Sequence, residues 1–204
     1  MALVKHNNNS LTNLTALPSA IPTGKMTLLS TATASSSASL SFDSTYINSD
    51  YLIYKFEFIN LHSANNDTLL QFNVSTDNGS NYNVAKTTTH FRTYLKEDGT
   101  GAFLGYITGF DLAQGTGEQT LSGGMGNDND QSLSAELTLF NPSSTTFIKH
   151  FIARTQFYEA TDFSESNFTA GYANTASAVN AIRFKLSSGD IDSGQIKLYG
   201  IKGS

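Results

Sequence analysis

With 204 residues, the chain is long enough for one well-filled domain, yet only 14% of it is charged, so its polarity comes from uncharged groups. Ser, Thr and Asn supply 67 residues; these suit strands and turns better than helix surfaces and point to an all-β protein. A net charge of −5 with 12 scattered Lys and Arg argues against nucleic acid as a partner, the lack of cysteine excludes disulfides and thiolate metal sites, and no apolar run nears the length of a membrane helix.

Residues 1–25 stand apart. They hold Pro18 and Pro22, carry almost no charge, and lack the long apolar core of a signal peptide. Leu11, Leu14, Leu17 and Ile21 recur at spacings of three, three and four, but the prolines cut any helix short. The expectation is an extended N-terminal arm over residues 1–25. Its four apolar side chains would bind a partner, with the chain's own body or a neighbouring subunit as the alternatives. Residues 26–204 would then form the folded domain.

From residue 26 onward the pattern is strand, turn, strand. In residues 51–59, Leu52, Tyr54, Phe56 and Phe58 alternate with Lys55 and Glu57, as in a half-buried strand. Residues 69–76 make the next strand, closed by Asp77-Asn78-Gly79-Ser80, a cluster that tolerates positive φ. Residues 86–94 form a Thr-rich strand. The glycine-rich segment 99–126 is too long for a hairpin turn and reads as a contact-forming loop.

Residues 132–140 put Leu133, Ala135, Leu137 and Leu139 on one face, and Asn141-Pro142 ends that strand. Residues 145–157 resume, with Phe147, Lys149, Phe151 and Ala153 opposite Ile148, His150, Ile152 and Arg154. Residues 159–180 read as a short helix or an aromatic-bearing loop. Residues 180–187 and 195–201 form the last pair, with Gly189 and Gly194 turning the connection and Gly200 admitting another backbone. Eight or more strands with turns between them predict a single antiparallel β-sandwich, jelly-roll-like.

Signatures of chemistry are weak. Gly115-Thr-Gly117 and Gly123-Gly124-Met-Gly126 lack the offsets and the lysine of a phosphate loop. Asp128 and Asp130, like Asp190 and Asp192, resemble fragments of a calcium loop without completing its spacing; turn chemistry is the favoured reading and a calcium site the alternative. The four histidines fall into no metal-binding pattern, and no G-x-S-x-G elbow is present. His150 reads as a packed or interface residue. Glu57 and Glu136 alternate onto the polar face and read as solvated. No catalytic residue, metal site or cofactor is therefore expected. Phe157, Tyr158, Phe163, Phe168 and Tyr172 form an aromatic cluster suited to subunit contact or to stacking on a glycan.

The closing segment AVNAIRFKLSSGDIDSGQIKLYGIK, residues 178–202, resembles a signature of marine phage virion proteins. These end on an Ile-x-Phe strand, a Ser-Ser-Gly turn and an Ile-x-Leu-Tyr-Gly-Ile strand. SSSASLSFDSTY (35–46), STDNGSNY (75–82), DLAQGT (111–116), GGMGNDNDQ (123–131) and LFNPSSTTFIKHF (139–151) resemble the same group. The resemblance implies a non-enzymatic particle component, whether capsid decoration, head fibre or tail fibre, located in the virion. It implies major capsid or tail subunits as partners and assembly as a homotrimer. It supplies no catalytic residue. A receptor-binding module of a tail fibre or baseplate, recognising host surface glycans, is the alternative. No membrane partner is expected.

Overall fold

The computed structural model describes residues 26–203, and all of the regular structure is β-strand apart from one 3-10 turn at Thr108–Phe110. The arm with Leu11, Leu14, Leu17 and Ile21 lies outside the described residues. The strands are β1 (Met26–Thr33), β2 (Leu40–Phe42), β3 (Ile53–Ser63), β4 (Leu70–Ser75), β5 (Lys86–Lys96), β6 (Ala102–Tyr106) and β7 (Ala113–Gly115). They continue with β8 (Gln119–Thr120), β9 (Leu133–Phe140), β10 (Lys149–Glu159), β11 (Phe163–Ala173), β12 (Ala181–Leu186) and β13 (Ile191–Ile201).

These strands make two antiparallel sheets. The larger runs β1-β13-β3-β9-β10-β11-β5-β6, with β7 also paired to β5; the smaller runs β2-β12-β4-β8. Four consecutive strand pairs cross from one sheet to the other: β1 to β2, β3 to β4, β8 to β9, and β12 to β13. Their inner faces meet in a core rich in phenylalanine. Phe184 of β12 stands edge-on to Phe58 at 4.8 Å and to Phe56 at 5.2 Å, and Phe72 of β4 meets Phe151 of β10 at 4.9 Å. Offset and edge contacts of this kind add to the area term. Tyr54 is fully buried, and its hydroxyl donates to the Asn48 carbonyl and accepts from the Asn48 N–H, both at 2.9 Å, so its polar tip costs little.

The period-2 readings hold where one face is apolar. Tyr54, Phe56 and Phe58 are buried, as are Leu133, Leu137 and Leu139. The turn after β4 forms at Asn78 and Gly79, with φ of 59° and 85°. Several expectations are corrected. Residues 159–180 hold no helix: Phe163–Ala173 is a strand inside the larger sheet, paired on both sides. The segment 99–126 is not one loop but contains β6, the 3-10 turn, β7 and β8. Leu52 and Phe147 are exposed, because their strands begin only at Ile53 and Lys149. The final strand starts at Ile191 rather than 195.

The glycine roles also shift. A Cβ on Gly200 would strike the Tyr51 ring, so a side chain rather than a backbone packs there. Gly194 (φ +105°) sits at a register break opposite Asn60 and Leu61, where a Cβ would fall 2.5 Å from the Asn60 carbonyl oxygen.

Candidate interaction face

Two stretches of chain lie outside the four crossing pairs. Residues 76–118 supply β5, β6 and β7, and residues 141–180 supply β10 and β11. They pair with one another through β11 and β5 and extend the larger sheet beyond β9 as a wing. The smaller sheet has only four strands and stops at β8, so the wing's inner side is closed by the segment from Ile107 to Gly126 instead.

On β5 and β11 the inner face of the wing is polar. Lys86, Thr88 and His90 on β5 and Glu165, Asn167 and Thr169 on β11 are all buried. Thr88 donates to the Gln119 side chain at 2.7 Å and accepts the Leu112 N–H at 2.8 Å, and Gln119 donates to the Phe110 carbonyl at 2.9 Å. Lys86 is fully buried and donates to Asn73 Oδ1 at 2.6 Å and to the Val84 carbonyl at 2.9 Å; burial lowers its pKa to about 8. Burial likewise drives His90 down to about 4, against the weaker opposing pull of Asp111; its Nδ1 pairs with the Thr169 hydroxyl at 2.9 Å. Burial raises Glu165, although Arg92 Nη1 lies 3.3 Å from each of its carboxylate oxygens. Gly123 packs directly on the Glu165 carboxylate and Gly126 on the Gln131 amide, which explains the GGMG run as close packing.

The outer face of the wing carries apolar side chains set among Thr87, Thr89, Thr93, Ser164 and Ser166. Phe91, Leu95, Leu104, Tyr106 and Ile152 are exposed there, Leu104 at 74% and Ile152 at 58%. Phe168 stacks on Phe91 with centroids 4.8 Å apart and planes 7° from parallel, and the Arg154 guanidinium sits 5.1 Å from the Phe168 ring. Two adjoining shallow grooves of about 470 and 340 Å³ share Ile152 and Ala170; Phe140, His150 and Tyr172 wall the first, Phe91, Arg154 and Phe168 the second. A charged band lies on the same sheet face toward β3: Lys55 bridges Glu57 at 3.4 Å and Glu136 at 3.1 Å, and Arg154 is the register partner of Glu136.

The aromatic cluster expected at 157–172 is therefore divided by strand alternation. Phe168 and Tyr172 come together on the outer face of β11. Phe157 is buried in the core, and Phe163 packs against Tyr94 at 4.8 Å on the inner side. Tyr158 lies at the far end of β10, with its hydroxyl 3.3 Å from Asp162. Reading the sequence by loops missed Phe91, Leu95, Leu104, Tyr106 and Ile152 as one surface. Their signal is parity: Phe91 and Ile152 occupy the strand face opposite to His90 and Phe151.

The two aspartate segments meet at one histidine. His62 Nδ1 lies 2.8 Å from Asp192, and its Nε2 donates to the Asp128 carbonyl at 3.0 Å. Burial pulls the His62 pKa down, but the Asp128 carbonyl and Asp192 together outweigh it and the net shift is upward. Among the described residues no three acidic, histidine or cysteine side chains gather as a metal site.

The arrangement defines a class: a two-sheet antiparallel β-protein whose sheet extension buries polar groups inside and presents apolar ones outside. No family model, curated protein or solved structure matches the chain.

Proposed function

We propose that this chain is a non-enzymatic structural protein of a phage particle. It is an exposed accessory subunit, of the capsid decoration or head-fibre type, attached through its N-terminal arm over residues 1–25. One observation carries the reading most directly. Two insertions that the crossing strand pairs do not need combine into a wing, and that wing exposes Phe91, Leu95, Leu104, Tyr106 and Ile152 on one face. Exposed apolar patches of this kind mark contact surfaces.

Two further points support it. The orders β1-β13-β3-β9 and β2-β12-β4-β8, joined by four crossing pairs, support reading the two sheets as a jelly roll, an architecture found in viral capsid proteins and lectins. The segment that resembles virion proteins, residues 178–202, forms β12 and β13, which lie inside the two sheets. The wing supplies the contact between copies, as a trimer, and no catalytic role is assigned.

The test is the Leu104→Glu/Ile152→Glu variant. It should fold with an unchanged circular dichroism spectrum but sediment as monomers, and it should decorate protein-deficient particles far less than the parent chain. A parent chain that stays monomeric both in solution and on the particle would overturn the subunit contact. Binding to a glycan array with no incorporation into particles would replace the accessory role with receptor recognition.

A further inference from the structure

Lys86 and Asn73 are both withdrawn from solvent, and they belong to different sheets: Asn73 to β4 of the smaller, Lys86 to the first position of β5 in the larger. Lys86 Nζ lies 2.6 Å from Asn73 Oδ1. The amide carbon Cγ is one carbonyl bond, about 1.2 Å, beyond that oxygen. An amine is thus held beside an acyl carbon in a dry site, where fixed orientation replaces a chance encounter.

The surroundings suit acyl transfer. Asn73 Nδ2 faces three carbonyls, those of Tyr82 at 2.8 Å, Thr116 at 3.1 Å and Gly117 at 3.2 Å. An amide nitrogen has two hydrogens to offer them, whereas departing ammonia has three. The same acceptors fix which end of the amide faces Lys86. Oδ1 also accepts the Val74 N–H at 2.9 Å, so a donor already points at the oxygen on which negative charge develops. Burial lowers the Lys86 pKa to about 8, which leaves about a tenth of the amine neutral and nucleophilic at pH 7. Glu118 is the carboxylate whose charge acts on Lys86. It follows Gly117 in the chain, and its Oε1 pairs with Arg183, the register partner of Asn73. Its Oε2 is buried with no hydrogen-bond partner among the described residues.

We propose that Lys86 and Asn73 join in an isopeptide bond that ties β4 to β5, and so one sheet to the other. The Nζ–Cγ bond forms as the neutral amine attacks; the electron pair on Oδ1 then returns and the Cγ–Nδ2 bond breaks. Glu118 Oε2 takes a proton from Nζ and passes it to Nδ2, which leaves as ammonia. With the proton that the lysine first gave up, it departs as ammonium. A lysine ammonium and a primary amide become a secondary amide and an ammonium ion, and no oxidant, reductant or water is consumed. Lys149 is the internal contrast. It is equally buried, but its Nζ donates to the main-chain carbonyls of Phe147 and Thr175 and not to a side-chain amide.

Intact-mass spectrometry of the purified full chain, denatured after folding, tests the bond. The parent should be lighter than its sequence by one ammonia, about 17 Da. Trypsin should leave a branched peptide that joins the segment holding Asn73 to the segment holding Lys86, while cleavage after Lys149 proceeds normally. Lys86→Arg should have its full sequence mass. Glu118→Gln, folded by circular dichroism, should be recovered mostly unlinked, since loss of a proton carrier slows such steps about a hundredfold or more. A parent chain of full sequence mass would overturn the proposal, whether or not either variant folds. So would a loss of ammonia that persists in Lys86→Arg, which assigns it to cyclisation of Asn73 on the main chain. A Glu118→Gln chain linked as completely as the parent would overturn the proton transfer through Glu118. The bond rests on this site alone and is independent of the particle role proposed above.

Discussion

Acidification should act on this protein through His90. The ring is fully buried, Thr169 holds its Nδ1, Phe110 stands edge-on at 5.0 Å, and its Nε2 has no hydrogen-bond partner among the described residues. Its folded pKa of about 4 lies below the ordinary 6.5. The unfolded chain therefore takes up the proton first, and the stability of the neutral ring, fully present above pH 6.5, is lost as pH falls toward 4. Integrated over that window the loss is about 3 kcal/mol, a large share of the 5–15 kcal/mol typical of a domain. Urea denaturation of the parent chain and of His90→Gln, at neutral pH and at pH 4, measures it. Glu165, with its raised pKa, works in the opposite direction and is present in both proteins, so it cancels in the difference. The parent's advantage over the variant should shrink by about 3 kcal/mol across this range. Parallel pH profiles would refute the assignment of acid sensitivity to His90.

Three other outcomes are expected. Phe184→Ala removes the ring that Phe56, Phe58 and Phe72 surround and should cost about 3–5 kcal/mol in denaturant titrations. Gly194→Ala forces a side chain into positive φ and against the Asn60 backbone, and should cost about 1–3 kcal/mol, seen as a lower Tm with an unchanged circular dichroism spectrum. His62, whose folded pKa is raised, contributes stability that is complete below pH 6.5 and fades as pH rises through the folded value; the parent chain's Tm advantage over His62→Gln should shrink as pH rises above 6.5.

The strands around the phenylalanine core were legible because one face of each is apolar and the other wet. β3 and β9 show this, with buried Tyr54 opposite Leu139 and Phe56 opposite Leu137. β11 was not legible for the converse reason. Its inward side chains are Glu165, Asn167 and Thr169, so the buried face reads as polar and the period-2 signal disappears. The edge strand β6 is short and apolar on the exposed side, which in sequence looks like part of a glycine-rich loop. The aromatic surface was half legible. Phe168 and Tyr172 are on it, whereas Phe157 belongs to the core, because sequence proximity ignores the alternation that sends neighbours to opposite faces. Its other members, Phe91 and Leu104, lie far from them along the chain and meet only through the β11–β5–β6 pairing. The partner of each aspartate segment, His62, was equally invisible, since it reaches both from a third strand.

The placement of the last two strands bears on how the chain can be made. β13 is the bond between β1 and β3, and β12 the bond between β2 and β4. Until the ribosome has released residues 181–201, β1 and β2 have no neighbour in either sheet, so neither sheet can be completed before then. Such non-local pairing folds slowly. A product ending before Ala181 therefore leaves β1 and β2 without a partner and should be open to proteolysis, so such a truncated copy is excluded from any assembly that selects folded subunits.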